Sequence, residues 1–158
     1  MRLGKRADYA VRAVLSLART WRPGQPLRKA RQIAGEMGIP EKYLPQLLAA
    51  LVRAGFVESV TGPEGGYRLV DSPDRVTLLQ VIEAVEGPLE STECVLRGGP
   101  CHWDDRCAIH EHWSGAQDAM RDHLHATTFA SIVHTDEMLE THSDGSASDS
   151  STATAPLP

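Results

Sequence analysis

A chain of 158 residues, 41% hydrophobic and 23% charged, can bury one proper core, or one small core plus a dimer interface. Its longest aliphatic run, Leu47 to Val52, is far short of a membrane span, and the N-terminal Met-Arg-Leu-Gly-Lys-Arg lacks the apolar stretch of a signal peptide. No membrane partner and a cytoplasmic location are therefore expected. The net charge of −5 averages two unlike halves: residues 1–70 carry 12 Lys and Arg against 5 Asp and Glu, and residues 71–158 carry 4 against 16. A basic N-terminal half suits a polyanion; an acidic C-terminal half does not.

The first helix is predicted over Lys5 to Arg19, where Val11, Val14, Leu15 and Ala18 recur at helical spacing. Trp21-Arg-Pro-Gly-Gln-Pro26 breaks it. A second helix, roughly Leu27 to Met37, carries Ala30, Ile33, Ala34 and Met37 on one face and stops at Gly38. A third begins near Pro40, buries Leu44, Leu47, Leu48 and Leu51, and is capped by Gly55. Pro45 removes a backbone donor there, and so bends that helix or delays its start. Phe56 to Val60 and Tyr67 to Val70 flank Thr-Gly-Pro-Glu-Gly-Gly (61–66), which reads as a β-hairpin. Thr77-Leu-Leu-Gln80 is a capping box for a fourth helix that buries Leu78, Val81, Ile82 and Val85 and ends at Gly87-Pro88. A loop of roughly Glu90 to Asp105 follows. A long helix then starts near Cys107, with Ile109, Trp113, Ala116, Met120 and Leu124 on one stripe. Such a stripe serves either as a two-stranded helical seam or as packing against its own domain. Phe129, Ile132 and Val133 mark a small docking helix, and from Ser143 the polar composition predicts a disordered tail.

The fold class expected is mainly α with a small β-hairpin. Residues 1–75 form a winged helix-turn-helix, residues 76–142 carry the cysteine loop and dimerisation helices, and residues 143–158 form the tail. In a winged helix the second helix of the pair enters the DNA major groove while the hairpin reaches the backbone or minor groove. Candidate contacts are Lys42, Tyr43 and Gln46 at the start of the third helix. Lys5 and Arg6 are placed to neutralise phosphates, and the small Gly65-Gly66 pair would let the wing backbone approach them.

Cys94, Cys101 and Cys107 lie within fourteen residues, and the rest of the chain has no cysteine. In a reducing compartment a cluster of this kind points to metal or redox chemistry, and an odd count argues against a closed disulfide set. Thiolates select iron–sulfur clusters, zinc or copper(I). Gaps of six and five residues are too open for a zinc knuckle and suit a loop draped around a larger cluster. A structural zinc, or no metal, is the alternative on the same fold. A cluster-bearing redox or electron-transfer protein is another, but the chain has no dinucleotide or flavin fingerprint and no nucleophile constellation.

Taken together, several segments resemble the IscR/NsrR/RirA family of bacterial winged-helix iron–sulfur regulators. They are Met1-Arg-Leu with Asp8-Tyr9-Ala-Val-Arg-Ala, Ile39-Pro-Glu-Lys-Tyr-Leu44, and Leu51-Val-Arg-Ala-Gly-Phe-Val57. Gly62-Pro-Glu-Gly-Gly-Tyr-Arg-Leu69, Val81-Ile-Glu-Ala-Val-Glu-Gly87 and Cys107-Ala-Ile-His-Glu-His-Trp113 complete the set, which spans residues 1 to about 135. The resemblance implies a homodimer with cross-packed long helices, a palindromic operator in double-stranded DNA, no enzymatic activity, and sensing of iron or cluster status, redox state or nitric oxide. It implies two candidates for the fourth ligand. His110, three residues after Cys107, would complete a three-Cys, one-His [2Fe-2S] site. Asp8 of the partner subunit would complete a [4Fe-4S] site. His110 and [2Fe-2S] are favoured. The family often carries Arg at the wing position held here by Thr61, and Pro45 replaces a helix former, so operator contacts do not transfer directly.

Overall fold

The computed structural model describes residues 3–89, 93–94, 99–100 and 107–145. Helix α1 spans Lys5–Arg19, as the spacing predicts, with Asp8 in its first turn and Arg19 in its last, both favourable to the helix dipole. Its buried face is built from Ala7, Ala10, Ala13, Val14 and Leu17. Helix α2 spans Ala30–Met37 and ends at Gly38, whose φ of 62° is the left-handed conformation that glycine tolerates. It starts later than the expected Leu27. Arg28 is instead extended, and its N–H and C=O both bond Tyr67 at 2.9 Å.

Helix α3 spans Leu44–Arg53 rather than starting near Pro40, and Pro45 explains the delay. Tyr43 is the N-cap, so proline falls in the first turn, where its missing N–H would have no intrahelical partner anyway. Gly55 closes α3: its N–H reaches the Val52 carbonyl at 3.0 Å and the Phe56 N–H reaches Leu51 at 3.1 Å, a Schellman motif. Strands β1 (Val57–Val60) and β2 (Gly66–Leu69) pair antiparallel, Val57 opposite Leu69 and Val60 opposite Gly66. A short 3-10 turn at Pro73–Arg75 precedes helix α4, Leu78–Glu86. The capping box is present: Thr77 Oγ1 accepts from the Gln80 N–H, and Gln80 Oε1 accepts from the Thr77 N–H at 2.9 Å. Val81, Ile82 and Val85 are buried as expected; Leu79 is buried as well, and Leu78 only half-buried.

Two-residue strands β3 (Glu93–Cys94) and β4 (Gly99–Pro100) pair within the cysteine segment. Helix α5, His110–Ala126, starts one turn after Cys107 and has no buried residue. Ile109, Trp113 and Met120 are 52%, 39% and 38% exposed. Helix α6, Phe129–Gly145, is far longer than a small docking helix. Its polar half is held by charge. Arg19 Nε donates to Asp136 Oδ2 at 2.6 Å and Arg19 Nη2 to Glu140 Oε1 at 3.1 Å, two carboxylates spaced i, i+4 on α6. Residues 143–145, expected in the tail, are therefore helical; residues 146–158 lie outside the described residues.

One hydrophobic cluster runs from Ala7 through Leu48, Val57 and Val81 to Phe129. The boundary expected at 75/76 thus does not separate two cores. Backbone bonds fasten the α5–α6 corner to the start of α4: Leu78 N–H to Thr127 O at 2.8 Å, and Phe129 N–H to Val76 O at 2.9 Å. Phe129 is fully buried. Phe129→Ala should cost about 3–5 kcal/mol in urea unfolding, whereas Leu139→Ala, at a site 66% exposed, should change stability little.

Candidate nucleic-acid interface and cysteine segment

Four of the residues expected to touch DNA, Lys5, Arg6, Tyr43 and Gln46, come from two separate parts of the chain and line one cleft. Lys5, Arg6 and Tyr9 of α1 and Tyr43, Gln46 and Leu47 at the start of α3 line a cavity of about 380 Å³. Lys5, Arg6, Lys42, Tyr43 and Gln46 are all exposed. The late start of α3 puts Lys42 and Tyr43 in the turn before it and Gln46 in its first turn. Tyr9 and Tyr43 lie with ring centroids 6.1 Å apart at 35°. The Lys42 ammonium is 5.1 Å from the Tyr43 ring, within cation–π range. Tyr9 was not among the expected contacts. The signal for it was its spacing, four residues after Lys5 on the same helix.

The wing tip, residues 61–64, is exposed and includes Thr61. The Lys29 ammonium donates to the Pro63 carbonyl at this tip. Gly65 and Gly66, expected to let the wing approach phosphates, are both buried. A Cβ on Gly65 would lie 2.1 Å from the Val60 carbonyl oxygen, and one on Gly66 would lie 2.6 Å from that of Arg28. Glycine is required at 65 because the hairpin closes on its own backbone, and at 66 because the extended segment at Arg28 lies against it.

The cysteine segment is described in part. The backbone of Cys94 pairs with Gly99 across β3 and β4. Cys101 and His102 lie outside the described residues. Cys107 is a free, half-buried thiol, and its carbonyl accepts the N–H of His110 at 3.1 Å. His110 is the exposed first residue of α5, so the two share one hydrogen-bonded turn rather than a stretch of helix begun at Cys107. Asp8 is also exposed, and its Oδ1 accepts from Arg12 Nε at 2.8 Å. A surface i, i+4 pair of this kind contributes only about 0.3–0.5 kcal/mol, so it leaves Asp8 able to change partners.

The two regions are joined by Glu86, at the end of α4. Its Oε1 accepts the Ala7 N–H at 3.1 Å, which satisfies an otherwise unpaired amide at the front of α1. The helix that leads into the cysteine segment therefore grips the turn carrying Lys5 and Arg6.

A winged helix with basic residues and a tyrosine pair on its reading face is an arrangement for binding DNA, and comparison with known proteins agrees. The Rrf2 family, described as iron-dependent transcriptional regulators, matches residues 3–135. The chain belongs to the Rrf2 family. It is 37% identical to the HTH-type transcriptional regulator IscR of Pectobacterium carotovorum over 140 residues, which cover 89% of this chain and 84% of that protein. Among solved structures it is similar to CymR, the global cysteine regulator of B. subtilis, with a TM-score of 0.72 and 28% identity over 85% of this chain and 98% of that one. It is also similar to T. potens IscR, with a TM-score of 0.64 and 25% identity over 98% and 94%. This Rrf2 protein is accordingly a DNA-binding transcriptional regulator and not an enzyme. No helix among its described residues is long and apolar enough to cross a membrane.

Glu86→Ala should remove a helix cap, at a cost of about 1 kcal/mol. Hydrogen exchange at the Ala7 amide should speed up, and affinity for DNA should fall as the first turn of α1 loosens.

Proposed function

We propose that this regulator is a homodimer whose affinity for a palindromic operator is set by an iron–sulfur cluster held on Cys94, Cys101 and Cys107. His110 is the fourth ligand and [2Fe-2S] the cluster type. The observation that carries this reading is the turn between Cys107 and His110, which keeps an imidazole within one turn of a thiol at the start of α5. The donor set fits such a group: three thiolates are soft ligands, and histidine supplies a weaker, more exchangeable fourth. Asp8 of the partner subunit, with a [4Fe-4S] cluster, is the competing choice. Its surface pair with Arg12 is weak enough to be exchanged, so the choice rests on the turn between Cys107 and His110.

Once bound, the cluster supplies a centre sensitive to iron supply, oxidants or nitric oxide. The protein's part is to order the segment around it and pass that order on. The uncovered stripe of Ile109, Trp113 and Met120 supports a seam with a second copy. A two-fold seam there would set two recognition helices on half-sites one DNA turn apart, about 34 Å. Coupling requires that the cluster favour one arrangement of the two halves over another. The contact from Glu86 to α1 is a route by which the cysteine segment can bias the reading face.

Anaerobic purification should yield a coloured protein with iron and acid-labile sulfide in equal amounts, and light scattering should give the mass of a dimer. His110→Ala should destabilise the cluster more than Asp8→Ala does. Gel shifts should separate holo- from apo-protein on at least one promoter. Colourless protein with one zinc per chain, or equal affinity of the two forms for every site, would rule out the sensor.

A further inference from the structure

We propose that Lys29 is the phosphate-contacting cation of the wing, in place of the charge that Thr61 does not provide. The inference rests on the DNA binding of the family and is independent of the cluster. Lys29 is the N-cap of α2, with an extended backbone at φ −72° and ψ 143°. That position favours Ser, Thr, Asp or Asn, whose side-chain oxygen accepts a helix amide. An ammonium has donors only, and no side-chain cap bond forms. Gln32 completes its half of the arrangement, its Oε1 accepting the Lys29 N–H at 2.9 Å, but lysine has nothing to return. A cation also sits at the positive end of the helix dipole, the unfavourable end for it. Lys29 thus breaks two local rules at one exposed position, and such violations concentrate at functional sites.

The direction of the side chain identifies the function. The ammonium reaches the Pro63 carbonyl at the wing tip. Two residues on, Arg31 faces Glu41 at 3.5 Å, next to the turn that carries Lys42 and Tyr43. Lys29 thus stands at the wing tip, on the helix whose Arg31 meets the residue before Lys42. Neighbouring guanidinium groups are committed within the protein: Arg28 to Glu36 at 2.6 Å and to Ser16, and Arg68 to Glu58. The only charged side chain among residues 61–64 is Glu64, which a phosphate repels. For the tip to lie against DNA a cation has to be near it, and Lys29 is already held there. Its flexible four-carbon stem lets the ammonium turn from the carbonyl to a phosphate without moving the backbone.

The test compares Lys29→Ser, Lys29→Gln and Lys29→Arg in the full chain, on a mixed-sequence DNA duplex across a salt series, with thermal unfolding alongside. Lys29→Ser should raise Tm, because it restores an N-cap, and yet weaken binding. For Ser and Gln the slope of log K against log salt should fall by about one per chain. Wild type should then lose about 3.5-fold more affinity per chain than these variants between about 50 and 200 mM salt. Lys29→Arg should keep the wild-type slope. An unchanged slope in the Ser and Gln variants would reduce Lys29 to a prop for the wing and overturn the proposal. A wild-type chain that does not bind duplex at all would overturn both this proposal and the DNA-binding reading beneath it.

Discussion

The structure depends on one helix face made of small side chains. Ala7, Ala10 and Ala13 are essentially without exposure, and α1 packs against α2, α3, α4, α6 and β2. Alanine loses no side-chain entropy on burial and sets a short distance between helix axes. α4 can then come close enough for Glu86 to reach the Ala7 amide. A Cβ on Gly4 would already lie 2.9 Å from the same carboxylate oxygen. Bulk on this face would push α4 outward and release the cap. The turn of α1 that carries Lys5 and Arg6 and the approach to the cysteine segment would part with it.

A polar network completes what the alanines begin. Ser16 is fully buried; its hydroxyl donates to Glu36 at 2.9 Å and accepts from Arg28 at 2.9 Å. Glu36 also receives Arg19, which turns on its other side to Asp136 and Glu140. Burial acts against the charge on Arg19, but bonding and attraction from Asp136, with help from Glu140 and Glu36, outweigh it and raise its pKa above the usual arginine value. The charge on Arg19 is thereby held, and it ties α1 to α2 and α6. The network is a frame, unlike the exposed pair of Asp8 and Arg12.

Much of this fold was legible in the sequence, because local rules and burial agreed. The helical spacing of apolar residues marked α1, and Thr77 with Gln80 marked the start of α4. What escaped was set by distant partners. Leu27 to Lys29 read as helix, but Arg28 is claimed by Tyr67 from the wing. The length of α6 depends on Arg19, more than a hundred residues earlier. Gly65 and Gly66 were identified as essential glycines, but the reason lay in backbone approaches that no sequence pattern displays. At the site, residue types were readable and their convergence was not. Lys5 and Gln46 are obvious candidates one at a time, while their common cleft, and Tyr9 within it, exist only once α1 and α3 have packed.

The anchoring of α5 has a mechanical consequence for the proposed sensor. Near its C-terminus the helix is fastened to the start of α4 by the Thr127–Leu78 bond, the bridge between Thr128 and Thr77, and the buried ring of Phe129 just beyond. Toward its N-terminus it presents exposed apolar residues and the turn that holds Cys107. Seventeen residues at about 1.5 Å each make a lever of about 25 Å, pivoted at one end with Cys107 at the other. A group bound there acts where a small force turns the helix most. A partner helix lying on the stripe of Ile109, Trp113 and Met120 would be carried with it. The pivot is tied to the same core as the cleft, so in the proposed dimer a rotation of the lever would change the angle between two DNA-binding halves rather than disorder either. On the proposed reading, the cluster therefore need not touch DNA or reshape the cleft of Lys5, Tyr9 and Tyr43 to control affinity. It needs only to set the spacing at which two intact copies of that cleft meet the duplex.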